Sequence, residues 1–249
     1  MSGSLVVVGT GPGKAELMTP ATLAALARAT DLVGYGPYLD RVPVSRPDQR
    51  RHPSDNRVEL ERARHALSLA ASGREVVVVS GGDPGVFAMA AAVFEAVETG
   101  DPAWRALDIR VEPGVTAMLA AAAEVGAPLG GDFCAISLSD NLKAWATIER
   151  RLRSAAEADF VIALYNPASR ARPNQLARAF ELLRAIKAGD TPVLLVRAAG
   201  TAEVKAIATT LAEADAAQAD MRTLVIVGAS TTRRIGRWVY TPRSEGRLS

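Results

Sequence analysis

Cysteine is almost missing from this chain of 249 residues, occurring once, at Cys134. That excludes an internal disulfide framework, and the only two histidines, His52 and His65, form no cluster at zinc-ligand spacing. No metal is expected. Aromatic residues make up only 5% of the chain, too few for a surface that stacks RNA bases. The 29 basic and 27 acidic residues leave a formal charge of +2, which does not mark a nucleic-acid binder. Also lacking is an apolar run long enough to span a bilayer. Met1-Ser2-Gly3-Ser4 leads straight into a short apolar stretch at 5–8 with no basic leader. A cytoplasmic protein with no membrane partner is expected.

What the chain does have is alternation. Val, Leu and Ile gather in short runs of strand length, each followed by an Ala/Leu-rich stretch of helical period. Strands are expected at 5–8, 31–35, 75–80, 108–112, 133–138, 160–165, 192–196 and 223–227, with a late hairpin strand at 237–240. Helices are expected at 20–29, 57–71, 87–98, 115–124, 143–156, 174–187 and 202–214. Asn56, with Glu59 three residues on, fits a capping box for the second helix. The fold class is therefore α/β, and a boundary near 113–124 divides it into domains at 1–115 and 116–249. A cleft between two such halves is a natural ligand site.

Small and polar residues cluster where the expected strands end. Gly9-Thr10-Gly11-Pro12-Gly13 fails the dinucleotide fingerprint, because Lys14 stands where the third glycine belongs and Tyr35-Gly36 replaces an acid after the second strand. It fails the P-loop as well, since its glycines are too close and Ala15 follows Lys14. Ser80-Gly81-Gly82-Asp83-Pro84-Gly85 is the stronger signal: paired glycines let a ligand approach the backbone, and Asp83 offers a carboxylate acceptor or a helix cap. Pro113-Gly114-Val115-Thr116-Ala117, Ser137-Leu138-Ser139-Asp140-Asn141 and Leu164-Tyr165-Asn166-Pro167 follow the same plan.

Together, and in this order, these motifs resemble the tetrapyrrole methylases over nearly the whole chain, from Val6-Val7-Val8-Gly9 to Val225-Ile226-Val227-Gly228. Gly34-Tyr35-Gly36-Pro37-Tyr38, Ser54-Asp55-Asn56-Arg57-Val58-Glu59 and Tyr165-Asn166-Pro167-Ala168-Ser169 look like the branch that methylates precorrin-3B at C17. The resemblance implies two α/β domains with S-adenosylmethionine in the cleft between them, a homodimer, and a small tetrapyrrole substrate rather than nucleic acid. It implies methyl transfer with ring contraction to precorrin-4 in vitamin B12 synthesis, leaving S-adenosylhomocysteine. Cofactor contacts implied by motif are Pro12, Gly81, Gly82, Asp83, Val86, Phe87, Thr116, Ala117, Tyr165, Asn166, Ala198 and Ala229.

A sulfonium methyl is already electrophilic, so the enzyme must chiefly align the reactants and exclude water. Cys134 then reads as a small buried hydrophobe rather than a catalytic thiol. Ring contraction benefits from a positioned proton donor or acceptor, for which Tyr35, Tyr38, Asp140 and Tyr165 are candidates. A precorrin carries a rim of carboxylates, and Arg50, Arg51 and Arg57 are expected to pair with them. Arg62 and Arg64, inside the expected helix, read as a solvated face. The alternatives are a sister activity on a cobalt-bearing macrocycle or a different precorrin position, and a non-catalytic ligand-sensing module.

Overall fold

The computed structural model describes residues 3–56 and 58–244. It divides into two compact units, Met1–Ala117 and Met118–Ser249.

In the first unit, strands β1 (Ser4–Gly9), β2 (Asp31–Tyr35), β3 (Arg50–Ser54), β4 (Glu75–Ser80) and β5 (Asp108–Glu112) form one sheet in the order β3-β2-β4-β1-β5. Every pairing in it is parallel. Helices α1 (Pro20–Arg28) and α2 (Gly36–Leu39) precede α3 (Glu59–Ala71) and α4 (Met89–Thr99). Alternation explains the unbroken apolar runs. Leu5, Val7, Val33, Val76 and Val78 pack with Ala63, Leu67 and Val93 of α3 and α4, while Val8, Leu32, Val77 and Val79 pack with Ala25 and Leu26 of α1. Both faces of the sheet are therefore covered, as a parallel sheet requires, and each buried Val or Leu contributes about 1.5–3 kcal/mol. The chain leaves β1 for β2 and leaves β4 for β5, so neighbouring strands β1 and β4 send their connections in opposite directions. Open α/β sheets bind ligands outside the carboxyl ends of such strands.

The second unit opens with the rest of α5 (Ala117–Val125), followed by β6 (Gly126–Ala127), β7 (Phe133–Ser137), α6 (Trp145–Glu157), β8 (Val161–Tyr165) and α7 (Gln175–Arg184). Then come β9 (Pro192–Arg197), β10 (Lys205–Thr210), β11 (Thr223–Val227), β12 (Arg233–Ile235) and β13 (Trp238–Tyr240). Its main sheet runs β10-β9-β11-β8-β7, and β12-β13-β6 form a small second one. Only β7 and β8 pair in parallel within the main sheet. Ile162, Leu164, Val193, Leu195, Val225 and Val227 bury one face against Ile148, Leu152, Leu176 and Phe180.

Several expectations are corrected. The helix expected at 202–214 is instead strand β10, paired antiparallel with β9. Its alanines favour a helix, but Ile207, Thr209 and Thr210 are β-branched, and an open sheet edge outweighs weak propensity. Residues 50–54 form the edge strand β3. Helix α3 begins at Glu59 with Val58 in the N-cap position, so Asn56 is not its cap. Helix α4 begins at Met89, later than the expected residue 87, because Phe87 has φ 52° and Ala88 is extended. Arg62 is no solvated residue either. It is buried, its Nε donating to Ser54 Oγ at 2.7 Å and Nη2 to the Asp55 carbonyl at 2.6 Å, with Nη1 3.2 Å from Met89 Sδ.

Candidate active site

In the first unit three loops meet at the carboxyl ends of β1, β4 and β5. Gly11 and Gly82 exchange two backbone hydrogen bonds, Gly11 N–H to Gly82 O at 3.1 Å and Gly82 N–H to Gly11 O at 2.9 Å. A Cβ on Gly9 would lie 2.6 Å from Gly82 O and 2.8 Å from Gly114 Cα, and one on Gly114 would strike the same carbonyl. The glycines are thus required by backbone packed against backbone. Gly82 also has φ +65°, where a side chain is strained.

Asp83 clamps the arrangement. Its Oδ1 accepts from Gly85 N–H at 2.8 Å and its Oδ2 from Gly114 N–H at 3.0 Å, so one carboxylate ties the β4 loop to the β5 loop. It does not cap α4. A second lone pair remains on each oxygen. Tyr38 lies over Gly81, where a Cβ would be 2.7 Å from the ring, and meets Tyr35 edge to face with centroids 5.4 Å apart. The expected residues Pro12, Gly81, Gly82, Asp83 and Val86 are all half-buried on these loops, Thr116 is buried, and Phe87 is 50% exposed. Tyr35 and Ala117, also half-buried, end β2 and open α5.

The basic stretch divides. Arg50 is exposed, whereas Arg51 donates from Nη1 to Leu39 O at 2.7 Å and from Nη2 to Val42 O at 2.9 Å. Arg57 lies outside the described residues. His52 turns inward and bonds Asp31 at 2.8 Å.

In the second unit, Tyr165 ends β8 and its hydroxyl accepts from Met118 N–H at 3.1 Å. Asn166 follows with φ 53° and donates from Nδ2 to Ser137 Oγ at 2.9 Å. Ala198 also sits at positive φ, 52°, after β9. Left-handed backbone at non-glycine residues persists only where its surroundings impose it, commonly at ligand sites, and Phe87, Asn166 and Ala198 are three of the four such residues among those described. Ala229 is buried, its N–H donating to Thr232 Oγ1 at 2.9 Å. Asp140 accepts from Gln175 Nε2 at 3.1 Å. Sequence reasoning passed over Arg172 and Gln175; their only signal was a loop dense in polar groups after β8. Burial raises the Cys134 thiol pKa, against a small opposing effect of Lys187, as suits a packing residue. Among the described residues no group of three or more His, Cys, Asp or Glu comes together to hold a metal, and no helix is long and apolar enough to cross a membrane.

A doubly wound parallel unit whose glycine loops cluster at the carboxyl ends of β1, β4 and β5, joined in one chain to a mixed-sheet α/β unit, places the protein in the class of two-unit α/β proteins. The chain belongs to the Tetrapyrrole (Corrin/Porphyrin) Methylases, whose family model matches residues 4–215. It is 59% identical to a precorrin-3B C(17)-methyltransferase of Sinorhizobium sp over 98% of this chain and 97% of that one. It is 44% identical to a probable cobalt-factor III C(17)-methyltransferase of Salmonella typhimurium, over 96% and 98%. The crystal structure of the methyltransferase CobJ superposes with a TM-score of 0.94 at 55% identity, covering 97% of this chain and all of that one. A uroporphyrin-III C-methyl transferase of Thermus thermophilus, solved with S-adenyl homocysteine, shares the fold at a TM-score of 0.68 and 24% identity, covering 91% and 92%.

Proposed function

We propose that this protein methylates C17 of precorrin-3B, with contraction of the macrocycle to precorrin-4, in cobalamin biosynthesis. The observation that carries the reading is 59% identity, end to end, with a precorrin-3B C(17)-methyltransferase. S-adenosylmethionine fits the loops described: their only charged residues are Lys14, Glu16 and Asp83, and they are walled by glycine, so they present backbone rather than a phosphate grip. Pro12, Gly81, Gly82, Asp83, Val86, Phe87, Thr116 and Ala117 of the first unit would hold it, with Tyr165, Asn166, Ala198 and Ala229 of the second. When bound, it supplies an electrophilic sulfonium methyl. The protein's residues orient it, exclude water and move protons. Tyr165 and Asp140 carry this last role with Tyr35, Asp140 being steadied by the Gln175 amide. A homodimer is proposed on family resemblance, and a cytoplasmic setting because the sequence holds no apolar run long enough to span a bilayer.

The test is incubation with methyl-labelled S-adenosylmethionine and enzymatically generated precorrin-3B, with cobalt-factor III and uroporphyrinogen III in parallel. Label at C17 of a contracted ring is expected; turnover of cobalt-factor III alone would transfer the assignment to the cobalt-bearing macrocycle. Arg50, Arg51 and Arg57 are proposed to meet the substrate's carboxylates. Arg50 stands level with Asp31 at the amino end of the sheet, the end opposite the glycine loops, and Arg51 already serves two backbone carbonyls, so Arg57 is the probe. Arg57→Gln should raise the KM for precorrin-3B about fivefold, as for loss of one surface charge pair, with S-adenosylmethionine affinity unchanged. An unchanged KM would remove Arg57 from the site.

A further inference from the structure

Three buried side-chain atoms among the described residues lack any hydrogen-bond partner: Ser169 Oγ, Arg172 Nε and Gln175 Oε1. All lie within residues 169–175, between the end of β8 and the start of α7. Clustering of this kind is informative, because a buried polar group without a partner costs about 1–3 kcal/mol, more when charged.

Arg172 is the centre of it. The residue is 7% exposed, and its guanidinium touches only the Asn166 carbonyl, 3.3 Å from Nη1, and Met221 Sδ, 3.7 Å from Nη2. No carboxylate among the described residues pairs with it. The other buried cations are provided for: Lys187 pairs with Asp159 at 2.7 Å, and all three nitrogens of Arg62 have partners.

The edge left over has a definite chemistry. Nε and Nη2 form the side-on fork of a guanidinium, which grips the two oxygens of one carboxylate. Among the described residues that fork is used twice. Arg46 holds Asp48 through Nε at 3.1 Å and Nη2 at 2.7 Å, and Arg110 holds Asp108 through the same atoms at 3.2 and 2.5 Å. On Arg172 one tine meets nothing and the other a thioether, a weak acceptor. Met221 is 48% exposed, so its flexible side chain can yield the position. Ser169 is held beside Arg172 by reciprocal backbone hydrogen bonds of 3.0 Å and adds a hydroxyl donor. Gln175 Nε2 is committed to Asp140, which fixes Oε1 as an acceptor.

We propose that Arg172, with Ser169 and Gln175, is a carboxylate-binding site of the second unit, filled through the side-on fork when Met221 moves aside. The carboxylate comes from a tetrapyrrole side chain or from the amino-acid end of the cofactor; Gln175 Oε1 would then take a donor on the same ligand or a water. The proposal rests on the reading of precorrin and S-adenosylmethionine as ligands.

The test is calorimetry on Arg172→Met and Arg172→Lys with precorrin-3B, S-adenosylhomocysteine and decarboxylated S-adenosylhomocysteine as probes. Arg172→Met should weaken one acidic ligand about thirtyfold, the worth of hydrogen bonds to a charged group. It should melt no lower than the parent, because an unpaired buried charge is gone. Arg172→Lys should lose at least about tenfold, since an ammonium cannot fork, and it carries the test if the Met variant does not fold. Weakened S-adenosylhomocysteine, with discrimination against its decarboxylated analogue abolished, assigns the site to the cofactor; weakened precorrin-3B alone assigns it to the substrate. Unchanged affinity for both in both variants overturns the proposal. Failure of the parent protein to bind precorrin-3B would instead sink the substrate reading, and the site would then stand or fall on the S-adenosylhomocysteine arm.

Discussion

Gly114→Ala is expected to destabilise the protein by about 3 kcal/mol, at the upper end of overpacking costs, and to abolish measurable S-adenosylhomocysteine binding. The new methyl would strike Gly82 O and lie 2.9 Å from Gly9 Cα. Both are main-chain atoms at the ends of paired strands, so neither can swing away as a side chain would. Relief requires the β5 loop to lift. That motion breaks the hydrogen bond from Gly114 N–H to Asp83 and releases the loop carrying Gly81 and Gly82, so stability and binding fall together. Gly36→Ala is the control, because nothing lies within 4 Å of the added atom. Urea midpoints for the two variants, with calorimetry on whatever remains folded, decide the matter; equal midpoints would show that the loop junction is pliable.

The same junction shows what could be read in the sequence. Apolar runs ending in glycine clusters were enough to locate the loops after β1, β4 and β5, because a strand covered on both faces advertises itself at every position. Nothing in the residue pattern says that Gly9, Gly82 and Gly114 touch, since their contact depends on strand order, which brings β4 and β5 to either side of β1. Asp83 was legible as an acceptor but not as a clamp, for its partner is 31 residues away. The helix expected at 202–214 failed in the second unit, where the antiparallel edge strand β10 is rich in alanine and resembles a helix to any rule based on local propensity.

Charged residues were read least well, and for one reason. Arginine is assigned to solvent by default, yet its long stem lets the guanidinium reach backbone carbonyls inside the fold. Arg51, Arg62 and Arg172 all do this, each bonding a backbone carbonyl six to nine residues earlier in the chain. The dense arginine stretch at 46–64 is thus partly internal bracing: Arg46 pairs with Asp48, Arg51 braces the turn after α2, and Arg62 fastens the turn after β3.

Asp31→Asn should cost about 3 kcal/mol at pH 7 while leaving saturated turnover near that of the parent. Asp31 opens β2, and its side chain is fully buried. It accepts from Arg74 Nε, from Thr30 Oγ1 at 2.7 Å and from His52 Nε2 at 2.8 Å, and His52 Nδ1 in turn meets His65 at 3.1 Å. An amide of the same size would turn an N–H₂ toward one of these donors and leave Arg74 without its counter-charge. Breaking one side of a buried pair costs about 3–5 kcal/mol, and the lower end applies because Arg74 is 28% exposed and can rehydrate. Turnover is spared because the carboxyl end of β2 lies about 13 Å away, four rises of about 3.3 Å. Burial alone would raise the Asp31 pKa, but hydrogen bonds from Arg74, Thr30 and His52, with the Arg74 charge, hold it below the ordinary value. A carboxylate with a depressed folded pKa adds stability above its unfolded value, near 3.9, and loses it as pH falls through the folded one. His65 acts in the same direction at higher pH. Burial and then the His52 charge push its pKa down, so below about pH 6.5 the unfolded chain takes the proton first and stability declines. Denaturation midpoints of parent and variant should therefore both fall from pH 7 to pH 5, and the gap between them should close only below about pH 4. A gap already closed at pH 5 would assign the acid sensitivity to His65 rather than to Asp31.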